Sequence, residues 1–258
     1  MAKRNTWSRE ELLLAYNLYC KLPYGNFNVS SKAVQHLARL IGRTSGAVAF
    51  KLVNFVNLDP KQRALGRKGA SNGSHLDKQV FKEFSENFDA TFEESERLLS
   101  ELEGGYRIHH ARKQEEDVNN DKRGEDVIRE VKSRVNQDYF RTIVLSNYAT
   151  RCAVTDISIP EVLIASHIRP WANDAGNRLN PRNGICLSAM FDKLFDRGLM
   201  TIDESYRIVY SRSLKSYSTE IFYGKELARF EYKQIRLPVK FLPDDKLLGY
   251  HRENVFLG

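Results

Sequence analysis

Between Val162 and Ile202 the chain reads VLIASHIRPWANDAGNRLNPRNGICLSAMFDKLFDRGLMTI, and four side chains in it stand at spacings that suit phosphoryl chemistry. His167 lies just past a short apolar run of strand character, Val162 to Ala165. A loop rich in Asn, Gly and Pro follows, from Arg169 to Arg182. Asn183-Gly184 then turns into a second apolar run, Ile185-Cys186-Leu187, and a helical segment from Ser188 to Arg197 carries Asp192 and Asp196 before Gly198 stops it. Attack on a phosphodiester needs a base to take a proton from water, and a cation to neutralise charge on the phosphate and the departing oxygen. Imidazole suits the first task near neutral pH. A carboxylate on a rigid helix suits the second, because Mg²⁺ prefers oxygen ligands and keeps several waters. His167 is therefore expected as the base, Asp192 as the ligand, and Asn183 as the amide that ties the long loop back. Asp196, four residues on, competes for the ligand role on the same helical face.

These residues carry a resemblance. Ser166-His167-Ile168-Arg169-Pro170, then Asn183-Gly184, then Asp192 nine residues beyond that Asn, resemble the HNH endonuclease motif of the ββα-metal, or His-Me finger, nucleases. Arg151-Cys152-Ala153-Val154-Thr155, the SHIRPW run, Phe195-Asp196-Arg197-Gly198-Leu199 and Tyr250-His251-Arg252-Glu253 resemble a bacterial branch that includes restriction-endonuclease-like proteins. The likeness runs from about Ser133 to the C-terminus. It implies divalent-metal-dependent DNA cleavage, with the His as general base, the Asn orienting the loop and the last position as metal ligand. Two positions depart from the family. Ser166 stands where many members have an acid that also binds metal, and the last letter is Asp rather than His. An oxygen ligand fits Mg²⁺ or Mn²⁺ better than Zn²⁺.

A chain of 258 residues is long enough for two domains. It has no apolar run of membrane-spanning length and no secretory core at its N-terminus, so a soluble, cytoplasmic protein is expected. Cys20, Cys152 and Cys186 form no CxxC pair; they are expected as buried small apolar residues, and no structural zinc is expected. The net charge of +7 is segregated: residues 1–75 hold 12 Lys or Arg against 3 acids, residues 76–130 hold 9 against 16, and residues 131–258 hold 19 against 14. Two basic blocks around an acidic one point to two separate nucleic-acid-facing surfaces.

The N-terminal block reads as three short helices: Thr6 to Tyr19 capped by Thr6 or Ser8, about Ser31 to Ile41, and Ser45 to about Asn57 capped by Thr44, with a tight Gly42-Arg43-Thr44 turn between the last two. That layout is helix-turn-helix-like, and IGRTSGAVAFKL with the early Trp7 resembles Myb-like domains. Arg43, Thr44 and Ser45 at the start of the third helix and Lys51 on its outer face are the expected DNA contacts. The tract through Arg63, Arg67 and Lys68 reads either as a phosphate-following segment or as a flexible linker. Leu76 to Leu102 reads as an acidic helical connector, a spacer or a dimer-forming arm, and Glu103 to Gly124 as a linker whose His109-His110 are ordinary solvated histidines. A longer helix from about Glu125 to Tyr148 is expected to support the core by packing, although its Arg134 and Arg141 could equally reach phosphate. Arg169, Arg178 and Arg182 surround the central site as phosphate-holding cations, Trp171 is expected to plug the loop, and His251 to be structural.

The expected fold class is α+β: a helix-turn-helix-like DNA-binding domain over residues 1–75, an acidic helical connector and linker over 76–124, and a ββα-metal (HNH) nuclease domain over 125–258. The expected function is hydrolysis of double-stranded DNA with Mg²⁺ or Mn²⁺, of restriction type, by a homodimer. The metal would sit on Asp192, with Ser166 or Asp196. The alternatives are a sequence-specific DNA-binding protein whose nuclease site has decayed, Ser166 being the first sign, or a nuclease that requires modified bases.

Overall fold

Ser8 takes the extended backbone of an N-cap, its hydroxyl accepting the Glu11 amide at 3.2 Å while the Glu11 carboxylate accepts the Ser8 amide at 2.8 Å. This reciprocal cap starts helix α1, Arg9–Lys21. The computed structural model describes residues 6–59, 63, 73–104, 124–170, 174 and 176–258, with residues 124–134 given as helical backbone only. Arg67, Lys68, His109, His110 and Trp171 lie outside the described residues.

The chain divides into two compact units, residues 1–138 and 139–258. In the first, α1 is followed by α2, Lys32–Leu40, and α3, Ser45–Leu58. Gly42 makes the turn between them in the left-handed conformation, φ 64°, and the Arg43 amide reaches back to the Ala38 carbonyl at 2.8 Å. Thr44 caps α3 by accepting the Ala47 amide.

The acidic stretch departs from the expected connector. It forms two helices, α4 (His75–Glu86) and α5 (Phe88–Leu102), because Asn87 leaves helical geometry and its side chain caps the second. Both belong to the first unit. Their apolar faces are buried, with the Phe84 ring stacked on Tyr16 of α1 at 4.3 Å and Tyr16 edge-on to Phe55 of α3 at 4.9 Å. Apolar rings of this size, each contributing about 2–3 kcal/mol on burial, outweigh the preference of a charged helix for water. The compact units therefore do not part at residues 75 and 124; the division falls inside helix α6, Gly124–Asn147, after Asp138.

The charge blocks pair with each other. Arg9 bridges Glu83 and Glu94 at 2.7 Å each, Lys21 pairs with Glu96, His36 meets Glu103 at 3.0 Å, and Lys51 holds Asp77 at 2.7 Å. These basic side chains of the first block are matched by acids of the second, so their segregation along the chain is complementarity within one unit.

The second unit is built on a ββα core. Strand β1, Leu163–His167, pairs antiparallel with β2, Gly184–Ser188, in a register that sets His167 opposite Gly184 and Ser166 opposite Ile185. Helix α7, Ala189–Asp196, follows directly and packs on both strands. Phe140 and Val144 at the end of α6 are buried, and a Cβ on Gly184 would meet Phe140 at 2.8 Å. Asn183-Gly184 thus needs glycine for close approach. Cys152 Sγ lies 3.2 Å from the Ser188 amide and 3.4 Å from those of Val154 and Thr155, so this buried thiol serves as a backbone acceptor. A hairpin of β3 (Met200–Ile202) and β4 (Ile208–Tyr210) follows, then the single turn α8 (Arg212–Lys215) and the C-terminal helix α9 (Asp245–Asn254). No described helix is long and apolar enough to cross a membrane.

Candidate active site

His167 is the last residue of β1, which extends two residues further than its apolar run suggested. Its Nε2 lies 3.0 Å from the Arg178 carbonyl. A carbonyl only accepts, so the ring proton is on Nε2 and the basic lone pair on Nδ1. The ring stacks face to face on Phe140, with centroids 3.7 Å apart and planes 11° from parallel. Burial pushes the imidazole below its ordinary pKa, against the Arg178 carbonyl and the Asp196 carboxylate, which pull it upward. Sequence periodicity turned Phe140 inward; that it is the platform under the histidine is a tertiary fact.

Asn183 is buried and uses its whole amide. Its Oδ1 accepts the Arg169 amide at 2.8 Å, and its Nδ2 donates to the carbonyls of Arg169 at 3.2 Å and Asn177 at 3.0 Å. Its own carbonyl accepts the Ile168 amide at 2.9 Å. One side chain joins the exit of β1, the middle of the loop and the entry to β2.

Asp192 sits in the first turn of α7, half-buried. Burial raises its pKa, Ser166 beside it lowers it, and Asp196 raises it again. The Ser166 hydroxyl is buried and has no hydrogen-bond partner. Asp196 is exposed and lies within electrostatic reach of His167. Among the described residues no three His, Cys, Asp or Glu side chains form a ready metal cluster. A buried hydroxyl beside a half-buried carboxylate whose charged form is disfavoured by burial nevertheless fits a hydrated Mg²⁺ or Mn²⁺, which takes few protein ligands and keeps its waters.

The arginines divide. Arg169 pairs with Asp174 at 3.5 Å and lies over the Tyr250 ring at 4.5 Å. Arg178 supplies its carbonyl to His167, and Arg182 supplies its carbonyl to the Asp244 amide at the cap of α9. Arg141 donates to the carbonyls of Leu163 and Pro160 at 2.6 and 2.8 Å, so it fastens the start of β1 instead of facing phosphate. In the first unit, Lys51 is not on an outer face: it is buried, with both Asp77 oxygens within 2.9 Å. The Arg43 guanidinium is held by Glu11, the Thr6 carbonyl and the Trp7 ring, which leaves it as a clamp between α1 and the start of α3. Thr44 and Arg63 are exposed and Ser45 is partly so.

His251 is structural in form: it is buried, its Nδ1 accepts the Thr201 hydroxyl at 2.9 Å, its Nε2 donates to the Phe195 carbonyl, and its ring stacks on Phe195 at 3.7 Å. It thereby fastens α9 to the end of α7. A comparison with curated proteins finds no match. Residues 152–203, which run from the Cys152 turn through β1, Asn183, α7 and β3, match the family model described as HNH endonuclease, and this match supports an HNH-type nuclease domain in this part of the chain, with DNA as the implied substrate.

Proposed function

We propose that the chain is a divalent-metal-dependent endonuclease that hydrolyses phosphodiester bonds of double-stranded DNA, as a restriction-type enzyme. The observation that supports this reading most is the state of His167. A backbone carbonyl holds its proton on Nε2, and burial keeps the ring neutral at physiological pH, so Nδ1 is prepared to take a proton from water. Asn183 keeps the loop from shifting that histidine. Asp192, with Ser166 or Asp196, would hold Mg²⁺ or Mn²⁺. When bound, the cation neutralises charge developing on the phosphate and the leaving oxygen. Arg169, Arg178 and Arg182 bring positive charge to the same loop. In the first unit, Thr44 and Ser45 at the start of α3, together with Arg63, remain as candidates for phosphate contact. One site per chain cuts one strand, so cutting both calls for two copies, and a two-fold pair favours a palindromic target.

A second reading, a DNA-binding protein that no longer cuts, is favoured by Ser166 alone, since a hydroxyl is a weaker ligand than the acid it replaces. Plasmid incubated with the protein, with and without Mg²⁺ or Mn²⁺, beside His167→Ala, separates the two. Metal-dependent cutting by the parent and none by the variant supports the enzyme. Binding without cutting under either metal supports the second reading.

A further inference from the structure

Arg169 is held in an unusual way for a cation. Both of its backbone groups are tied by the Asn183 amide, so the root of the side chain is fixed two residues past His167. Its guanidinium carbon lies 4.5 Å from the centroid of the Tyr250 ring. Its Nε is buried and has no acceptor among the described residues, and the carboxylate paired with it, Asp174, stands at 3.5 Å, too far for a strong charge-assisted hydrogen bond. A guanidinium positioned by acceptors has its N–H edge occupied. One positioned by a ring face is fixed in place while its solvent-facing N–H groups stay available for a phosphate, and the Arg169 side chain keeps 35% of its surface exposed.

The ring is itself firmly placed. Tyr250 lies on α9, outside the segment that matches the family, and its neighbours fasten that helix. His251 bonds to Thr201 and to the Phe195 carbonyl, and Arg252 donates to the Ile202 carbonyl at 3.0 Å. Gly198, at φ 67°, lets the Val255 backbone come so close that any Cβ there would collide with the Val255 carbonyl oxygen. Helix α9 is thus fixed to α7, the helix of the ββα core, and to β3, which follows that core.

We propose that Tyr250 is a positioning residue that presents the Arg169 guanidinium to a phosphate of the bound DNA, so that the C-terminal helix completes the nuclease site. This rests on the nuclease reading for its effect on cutting, but its effect on binding is separate. Duplex DNA binding in EDTA, across a salt series, and cutting in Mg²⁺ are measured for Tyr250→Phe, Tyr250→Leu, Arg169→Gln and the Leu/Gln double variant. Tyr250→Phe keeps the ring face and should bind and cut within about twofold of the parent. Tyr250→Leu should lose about tenfold in affinity, the size of a partly buried cation–π contact. Its salt slope should fall by about one phosphate contact, as for Arg169→Gln. The double variant should be no weaker than Arg169→Gln alone. Binding and salt slope unchanged in Tyr250→Leu, or losses that simply add in the double variant, would overturn the proposal. If the parent binds duplex but never cuts, the nuclease reading fails while the binding series still decides the role of Tyr250.

Discussion

Asn183 closes on both backbone groups of Arg169, accepting its amide at 2.8 Å and donating to its carbonyl at 3.2 Å, while the same nitrogen reaches the Asn177 carbonyl at 3.0 Å. Replacing it by Ala strands one part-buried amide and two part-buried carbonyls, at a loss on the order of 3 kcal/mol. Asn183→Asp keeps the acceptor but sets a carboxylate against two carbonyls, and should fold no better than the Ala variant. Urea unfolding midpoints check this ordering. An Asp variant as stable as the parent would mean that the two donated bonds contribute nothing.

Asp192 should show opposite effects on stability and activity. Burial and the nearby Asp196 carboxylate raise its pKa, so its charged form is disfavoured in the fold, and stability declines as pH rises through the carboxylate range. Asp192→Asn removes that charge and should raise the melting temperature while abolishing cutting. Mg²⁺ should raise the melting temperature of the parent and of Asp196→Asn but not of Asp192→Asn, because a ligand that binds only the folded state stabilises it. The reverse pattern would transfer the ligand role to Asp196.

Much of the central site is visible in the sequence because its parts are local. An apolar run ending in His167, an Asn-Gly turn and a helix starting at Ser188 each follow from short-range rules, and β1, β2 and α7 appear within a residue or two of where those rules set them. What pairs across distance is not visible. Nothing local tells that Phe140 lies under His167, or that Arg141 fastens Leu163. The charge blocks mislead for the same reason. Two basic blocks around an acidic one suggest two nucleic-acid-facing surfaces, yet Arg9 with Glu83 and Lys51 with Asp77 pair cations of the first block with acids of the second. The apolar content of residues 76–102 held the better clue, since rings at Phe84, Phe88 and Phe92 call for a partner face.

Acid should loosen the second unit in a range set by two histidines. Burial pushes His251 down to about 4, and His167 also lies below its ordinary value. An unfolded chain takes up these protons more readily, so the stabilisation is complete above about pH 6.5 and is lost as pH falls from there toward the folded values. For His251 the full loss is roughly 3 kcal/mol, at 1.36 kcal/mol per pKa unit. His251→Gln should be less stable than the parent at neutral pH but lose less on acidification, as read by urea unfolding at about pH 7 and about pH 4.5. Equal pH slopes for the two proteins would show that His251 is not the group responsible. The acid limb of cutting should likewise lie below about pH 6.5, since His167 remains a neutral base there.

Lys51 and Asp77 test whether helix α3 uses its lysine for DNA or for folding. The ammonium lies 2.7 and 2.9 Å from the two carboxylate oxygens, and Asp77 also accepts the Ser74 amide at the start of α4. Breaking a buried pair from one side leaves an uncompensated charge, a loss of about 3–5 kcal/mol. Lys51→Met should therefore destabilise the first unit strongly, and pairing it with Asp77→Asn should recover part of that loss, because no lone carboxylate remains. A DNA-facing lysine predicts the contrary: unchanged urea midpoints in Lys51→Met and weaker duplex binding with a shallower salt slope. Both measurements on the same three proteins decide between the roles. The closed pair favours folding, because a lysine committed to a fully buried carboxylate cannot reach a phosphate without stranding that acid in the core.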